Sequence, residues 1–245
     1  MGYKIAIALL FLVLPNFATA ADADGDSAFK PEIVNIPLNK VYVPVGFDDN
    51  DRVQIVVEGD FPNTCYKIGP YTFHMNEVTK TLSVQQTAYK YMGVCIQMQV
   101  PFTQVVDLGL MRSGDWTLED STAAKTLGRL PIQLAAGPGP DDFLYAPVTE
   151  AYVHKDSETL KNALSFMGTF TDRCTRLKEV RVHYYTDVIV VQPIAEQIGP
   201  LHNCGHELTR FAHTVLLKED LKGTYLLHVR SMNGQAINKL VEMPE

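Results

Sequence analysis

The chain has 245 residues, enough for one large domain or two small ones. With 46% hydrophobic and 20% charged residues, 16 Gly and 14 Pro, it is not a disordered polyelectrolyte, a collagen-like chain or a coiled coil. A net charge of −7, from 21 Lys+Arg against 28 Asp+Glu, leaves no global basic field to hold nucleic acid or an anionic membrane.

Residues 1–20 read as a secretory signal peptide. Lys4 precedes an apolar run from Ile5 to Leu14, a Pro15-Asn16 break follows, and Ala18-Thr19-Ala20 offers small residues for cleavage. The run is too short to cross a bilayer core of roughly 30 Å, and no later stretch reaches the ~18 apolar residues of a span. No stable membrane span is therefore expected after signal removal, and the chain is expected to be periplasmic or secreted. Loss of Lys4 with the signal takes the net charge from −7 to −8. Residues 21–32, with Asp22, Asp24 and Asp26, read as a flexible solvated tail, because the segment does not continue into the spaced ligand set of a calcium loop.

From residue 33 to 136 short runs with period-two alternation or β-branched enrichment follow one another. They are Val53 to Val57, Tyr71 to Phe73, Leu82 to Val84, Ile96 to Val100, Val105 to Leu108 and Trp116 to Leu118. Turn-forming clusters separate them at Asp48 to Asp51, Pro62-Asn63, Gly69-Pro70 and Ser113-Gly114. Residues 137–142, Gly-Pro-Gly-Pro-Asp-Asp, form a short turn-rich linker. From 143 to 245 the pattern returns in Val180 to Tyr184, Val188 to Val191, Thr214 to Leu217 and Tyr225 to Val229. Only Asp156 to Ala163 has helical spacing, and Asn233-Gly234 predicts a two-residue hairpin turn near the end.

The cysteines relate the two halves. Cys65 and Cys95 are 30 apart, and so are Cys174 and Cys204, with an offset of 109 between the pairs. At that offset Gly59 and Phe61 match Gly168 and Phe170, and Phe102, Val106 and Leu108 match Phe211, Val215 and Leu217. Gly114 and Trp116 likewise match Gly223 and Tyr225. Small shifts to 107 and 110 elsewhere are what loop insertions leave in a diverged tandem repeat. The fold class expected is all-β, two tandem sandwich domains arising from an internal duplication, with bridges 65–95 and 174–204 favoured among three pairings.

The stretch in which a Cys-bearing strand is followed by Pro101-Phe102-x-x-x-Val106-x-Leu108 and then Gly114-x-Trp116-x-Leu118 resembles immunoglobulin-like sandwich modules of bacterial exported proteins. The resemblance covers about forty residues of each copy. It departs from antibody-type domains, because the Cys spacing is short and Trp116 follows the second Cys. It implies an architecture and carries no active site with it.

Motifs for chemistry are sparse. No Gly-x-Ser-x-Gly elbow, phosphate-binding loop or dinucleotide fingerprint occurs, so no catalytic residue and no cofactor is assigned. His202-Asn-Cys204-Gly-His206-Glu207 brings two His within four residues and makes His202 and His206 the candidates for a metal. On an extended strand, however, they stand about 13 Å apart. His74 and His183 coincide across the copies and are expected as structural residues beside the core, while Arg173, Arg176, Lys178 and Arg181 are expected as a solvated face. The expected function is non-enzymatic: recognition of a protein partner, or a structural spacer, at the cell envelope. The alternatives are a hydrolase or metal-dependent enzyme on the His-rich region of the second module, and a small-molecule binder at the interdomain cleft.

Overall fold

A computed structural model describes residues 30–139, 141–199 and 204–243. The signal-peptide reading, most of the tail and His202 lie outside these residues. All regular elements within them are strands. The first half contains β1 (Glu32–Ile36), β2 (Lys40–Tyr42), β3 (Phe47–Asp48), β4 (Val53–Phe61), β5 (Tyr66–Asn76), β6 (Thr81–Lys90), β7 (Val100–Gly109), β8 (Gly114–Asp120) and β9 (Lys125–Gln133). The second contains β10 (Val148–Lys155), β11 (Asn162–Phe170), β12 (Thr175–Tyr184), β13 (Val188–Gln197), β14 (Thr209–Leu216), β15 (Thr224–Ser231) and β16 (Gln235–Glu242).

Each half is a β-sandwich, and the two share one strand order. A three-stranded sheet, β2-β4-β7 in the first half and β10-β11-β14 in the second, packs on a larger sheet containing β5-β6-β8-β9 or β12-β13-β15-β16. In both larger sheets one neighbouring pair is parallel, β6 with β8 and β13 with β15. In the first half β5 runs along one side of β6, while β1 and β8 divide the other side, at residues 86–90 and 81–84. In the second half the place of β1 is taken by Tyr145, bridged to Ile194, and by Ala146, whose N–H donates to the Pro193 carbonyl.

Two glycines show why the repeated residues recur. A Cβ on Gly59 would meet the Phe102 ring at 2.6 Å and the Pro37 carbonyl at 3.0 Å, and a Cβ on Gly168 would overlap the Pro147 carbonyl and touch the Phe211 ring at 2.9 Å. In each half the preceding segment and an aromatic ring close on a bare backbone, which only Gly permits.

The first core joins both sheets through Val53, Ile55, Val57, Leu82, Val84, Val106, Trp116 and Leu118. Trp116 is buried, and its indole N–H donates to the Arg112 carbonyl at 2.9 Å. The second core is built on Leu164, Phe166, Ile189, Val191, Leu227 and Val229. Between the halves, Tyr42 and Val56 on the outer face of β2 and β4 pack against Val188, Val190 and Leu226 of β13 and β15. The sheets therefore stack in four layers. β4 and β13 are covered on both faces, which explains why their sequences, Val-Gln-Ile-Val-Val and Val-Ile-Val-Val, are nearly continuous apolar runs. From Pro31 onward the chain is one compact unit.

Several local expectations are corrected. Ile96 to Gln99 is not strand, and β7 begins at Val100. Gly69-Pro70 is not a turn between strands but an irregularity inside β5, where the register with β6 shifts between Ile68 and Tyr71; a Cβ on Gly69 would meet Thr87 Oγ1 at 2.7 Å. The helical spacing at Asp156 to Ala163 yields a turn, in which the Asp156 carboxylate accepts from Thr159 N–H and hydroxyl at 2.8 and 2.7 Å and Leu160 takes φ 56°. The β15–β16 hairpin loop has three residues, 232–234, because Ser231 pairs with Gln235. Asn233 and Gly234 both have positive φ.

Candidate functional site

Both expected disulfides are present, Cys65–Cys95 and Cys174–Cys204, with Cα atoms 5.4 and 5.5 Å apart. Each pins a long loop to the turn that opens an edge strand. In the first half Tyr91 N–H donates to the Cys65 carbonyl at 2.9 Å. Ile96 N–H donates to Thr64 Oγ1 at 3.0 Å, and Thr64 N–H to the Ile96 carbonyl at 3.2 Å. These bonds hold residues 95 and 96 against the 63–65 turn and away from any neighbouring strand, which is why the alternating Ile96–Met98 segment does not join a sheet.

The consequence is an apolar surface. Met92 is 90% exposed, Val94 fully exposed and Ile96 67% exposed, with Met98 and Tyr91 beside them and Lys67 Nζ 5.4 Å from the Tyr91 ring centre. No Asp or Glu occurs in residues 61–76 or 80–106. Four large apolar side chains exposed on one short loop are costly at roughly 25 cal/mol per Å² of apolar surface, and a concentration of exposed apolar groups marks interaction sites. The sequence shows the residues; their exposure follows from the bridge.

At the equivalent end of the second half Asp172 caps the turn, accepting from Cys174 N–H and Thr175 N–H, both at 2.7 Å. Of the two metal candidates, His206 is exposed in a loop and His202 lies outside the described residues. Asp172 does approach the two sulfurs Cys174 and Cys204, the one such grouping among the described residues, but both sulfurs are bonded to each other and supply no thiolate. His74 and His183 are exposed on β5 and β12, not beside the core as expected, because their strand parity turns them to the outer face. His183 Nε2 lies 3.1 Å from Gln192 Oε1. The basic residues of this end are each paired. Arg173 meets Glu207, Arg176 and Lys178 meet Glu196 at 2.7 and 4.0 Å, and Arg181 meets Glu179 at 2.5 Å.

The second concentration of polar groups is buried between the halves. Arg230 on β15 faces the Asp51 carboxylate and the Tyr145 hydroxyl, each at 3.4 Å, and donates to the Gly46 carbonyl. Burial pushes the Asp51 carboxyl up to about 6, against the pull of the Arg230 guanidinium and of the Asp48 N–H. Next to Arg230 on the same strand, His228 packs edge-on against Phe47 with ring centres 5.6 Å apart. Asn238 Nδ2 donates to Gln54 Oε1 at 2.7 Å, which leaves Asn238 Oδ1 to accept from His228 Nδ1–H at 2.7 Å. Burial pushes the imidazole down to about 4 and keeps it neutral. The cavity between Phe47, Asp51, Tyr145, His228 and Arg230 measures about 20 Å³, room for a water-sized group and not for a metabolite. Sequence reasoning missed this cluster. Asp48 and Asp51 read as a polar turn, and His228 is hidden in the apolar run Leu226 to Val229.

Residues 55–119, from β4 through β8, match the family model described as the ORF11 beta-sandwich domain. The match agrees with the sandwich seen in the first half. No curated protein and no solved structure matches the chain.

Proposed function

We propose that the chain is an exported, non-enzymatic recognition protein of the cell envelope, built from two duplicated immunoglobulin-like sandwich modules, and that the loop bearing Met92, Val94, Ile96 and Met98 is its contact surface for a protein partner. The observation that carries this reading is the exposure of that loop on a disulfide-anchored base. A bridge beside the contact residues fixes them in place before binding, which reduces the ordering cost that otherwise subtracts from affinity. Methionines and a flanking tyrosine are the side chains enriched at protein contacts, because they offer large, adaptable apolar area. The shared strand order and the matched glycines support the duplication, and two disulfides suit an oxidising compartment. No helix among the described residues is long and apolar enough to cross a membrane.

The test is photocrosslinking in the native cells, with a photoreactive residue at position 92. Capture of a discrete protein that disappears when Val94, Ile96 and Met98 are changed to Ser supports the proposal. A crosslinking pattern that is empty, or identical in the Ser variant, refutes it. Mass spectrometry of the mature N-terminus tests export independently, with cleavage before Ala21 expected.

A further inference from the structure

The two halves share a strand order but close their sandwiches differently, and the difference lies at the edge strands β7 and β14. In the first half the free edge of β7 is blunted. Pro101 has no N–H to offer, the Tyr71 hydroxyl of β5 accepts from Asp107 N–H at 3.1 Å, and Gln104 Nε2 donates to the Val105 carbonyl at 2.9 Å. Under this cover Phe102 is 7% and Val106 0% exposed.

The equivalent edge in the second half has none of these devices. Tyr71 is matched by Val180, which has no hydroxyl, Gln104 by His213, and Asp107 by Leu216, which is 47% exposed. β14 pairs with β11 over eight residues without a register shift, Ala163 to Phe170 against Leu216 to Thr209. It contains no Pro, Gly, Lys, Asp or Glu, and Arg210 is its one permanent charge. Among the described residues no hydrogen bond from any element other than β11 reaches the backbone of residues 210–216. The counterparts of Phe102 and Val106, namely Phe211 and Val215, stand half-exposed. A flat, uncapped edge with half-covered core side chains is a template for another strand.

We infer that β14 is a self-association edge, on which a second copy of this chain adds its own β14 antiparallel, joining two three-stranded sheets into one of six. The inference goes beyond the recognition loop, which lies on the other module. Antiparallel pairing about a two-fold axis normal to the sheet requires residues facing each other to point to the same side, so the axis passes midway between the two copies of one residue. With the axis at His213, Phe211 meets Val215 of the second copy, and the reverse, so each copy covers the other's two half-exposed core residues with an aromatic–β-branched pair. On the outer face Ala212 meets Thr214, small enough for close approach, and Arg210 meets Leu216. No two permanent charges of like sign are opposed.

Sedimentation equilibrium of the full mature chain at about 100 µM tests the association itself, a concentration suited to the weak binding of a small interface. A dimer is expected. Ala212→Lys with Thr214→Lys places four cations across the axis and should weaken it at least tenfold, whereas Ala212→Lys with Thr214→Glu sets opposite charges face to face and should restore it. His213→Cys should yield a disulfide-linked dimer on a non-reducing gel. Replacing Met92, Val94, Ile96 and Met98 by Ser should leave the dimer unchanged, which separates this inference from the recognition reading. A monomer at all concentrations overturns it. So does a dimer indifferent to the lysine pair, which would place the contact elsewhere, or a β14 edge that pairs only with a strand of a different protein.

Discussion

The buried contact between the halves predicts two opposite pH dependences. Folding raises the Asp51 carboxyl from 3.8 to about 6 and lowers the His228 imidazole from 6.5 to about 4. Because the Asp51 value rises, its contribution is complete below pH 3.8 and is lost as pH climbs through 6. Because the His228 value falls, its contribution is complete above pH 6.5 and is lost as pH drops through 4. At 1.36 kcal/mol for each unit of pKa, each contribution is about 3 kcal/mol. Between pH 4 and 7 the two nearly cancel in the natural chain, and single substitutions expose them. The chain with Asp51→Asn should match the natural chain near pH 4 and be more stable by about 3 kcal/mol at pH 7, since the natural chain alone must bury the carboxylate. The chain with His228→Gln should gain on the natural chain by about the same amount as pH falls from 7 to 4. Urea unfolding with both disulfides intact, at pH 4, 5, 6 and 7, measures these differences while the background titration of other carboxylates cancels. If Asp51→Asn instead loses ground above pH 6, the attraction of Arg230 at 3.4 Å outweighs the burial of Asp51, and the reasoning fails.

Replacing Cys65 and Cys95 together by Ser should cost about 3.5 kcal/mol in urea unfolding, the chain-entropy value for a 30-residue loop. Gly168→Ala should abolish soluble expression or cost more than about 3 kcal/mol, because the new Cβ overlaps the Pro147 carbonyl, which is backbone and cannot turn aside. Gly234→Ala, at φ 66° in the β15–β16 loop with Arg52 Cβ at 3.4 Å, should cost only about 1 kcal/mol in the same assay. Changing Met92, Val94, Ile96 and Met98 to Ser should leave stability within about 1 kcal/mol of the natural chain, since these side chains are exposed and contribute little to the core.

The architecture was legible where a residue's role is fixed by near neighbours in sequence. Period-two runs marked the strands, the matched spacings of Gly59 and Gly168 marked two copies of one tight approach, and the 30-residue Cys spacing marked the bridges. The nearly continuous apolar runs of β4 and β13 also held information that period-two reading passes over, since a strand with apolar residues on both faces is covered on both sides. The contact between modules was written into Val56 and Val190 in that sense.

Roles that depend on distant partners were not legible. Asp51 and Arg230 are 179 residues apart, and no local pattern distinguishes a carboxylate bound for a buried guanidinium from one in a solvated turn. Ile96–Met98 alternates like a strand, yet the bridge at Cys95 and the bonds to Thr64 commit it to a loop. The edges of β7 and β14 make the point most sharply. Their core positions, Phe102 with Val106 and Phe211 with Val215, are identical, and binary patterning treats the two strands as equivalent. The edge of β7 is covered by Pro101, the Gln104 amide and the cross-sheet Tyr71 hydroxyl, and the matching residues at β14, Arg210, His213 and Val180, supply none of these contacts. The substitution of one β-favouring apolar residue for another leaves the predicted strand unchanged while altering which backbone groups are available to a second chain. Two modules with the same strand pattern can thus differ in which backbone groups they leave unpaired, and the difference lies in the few polar contacts that the pattern does not encode.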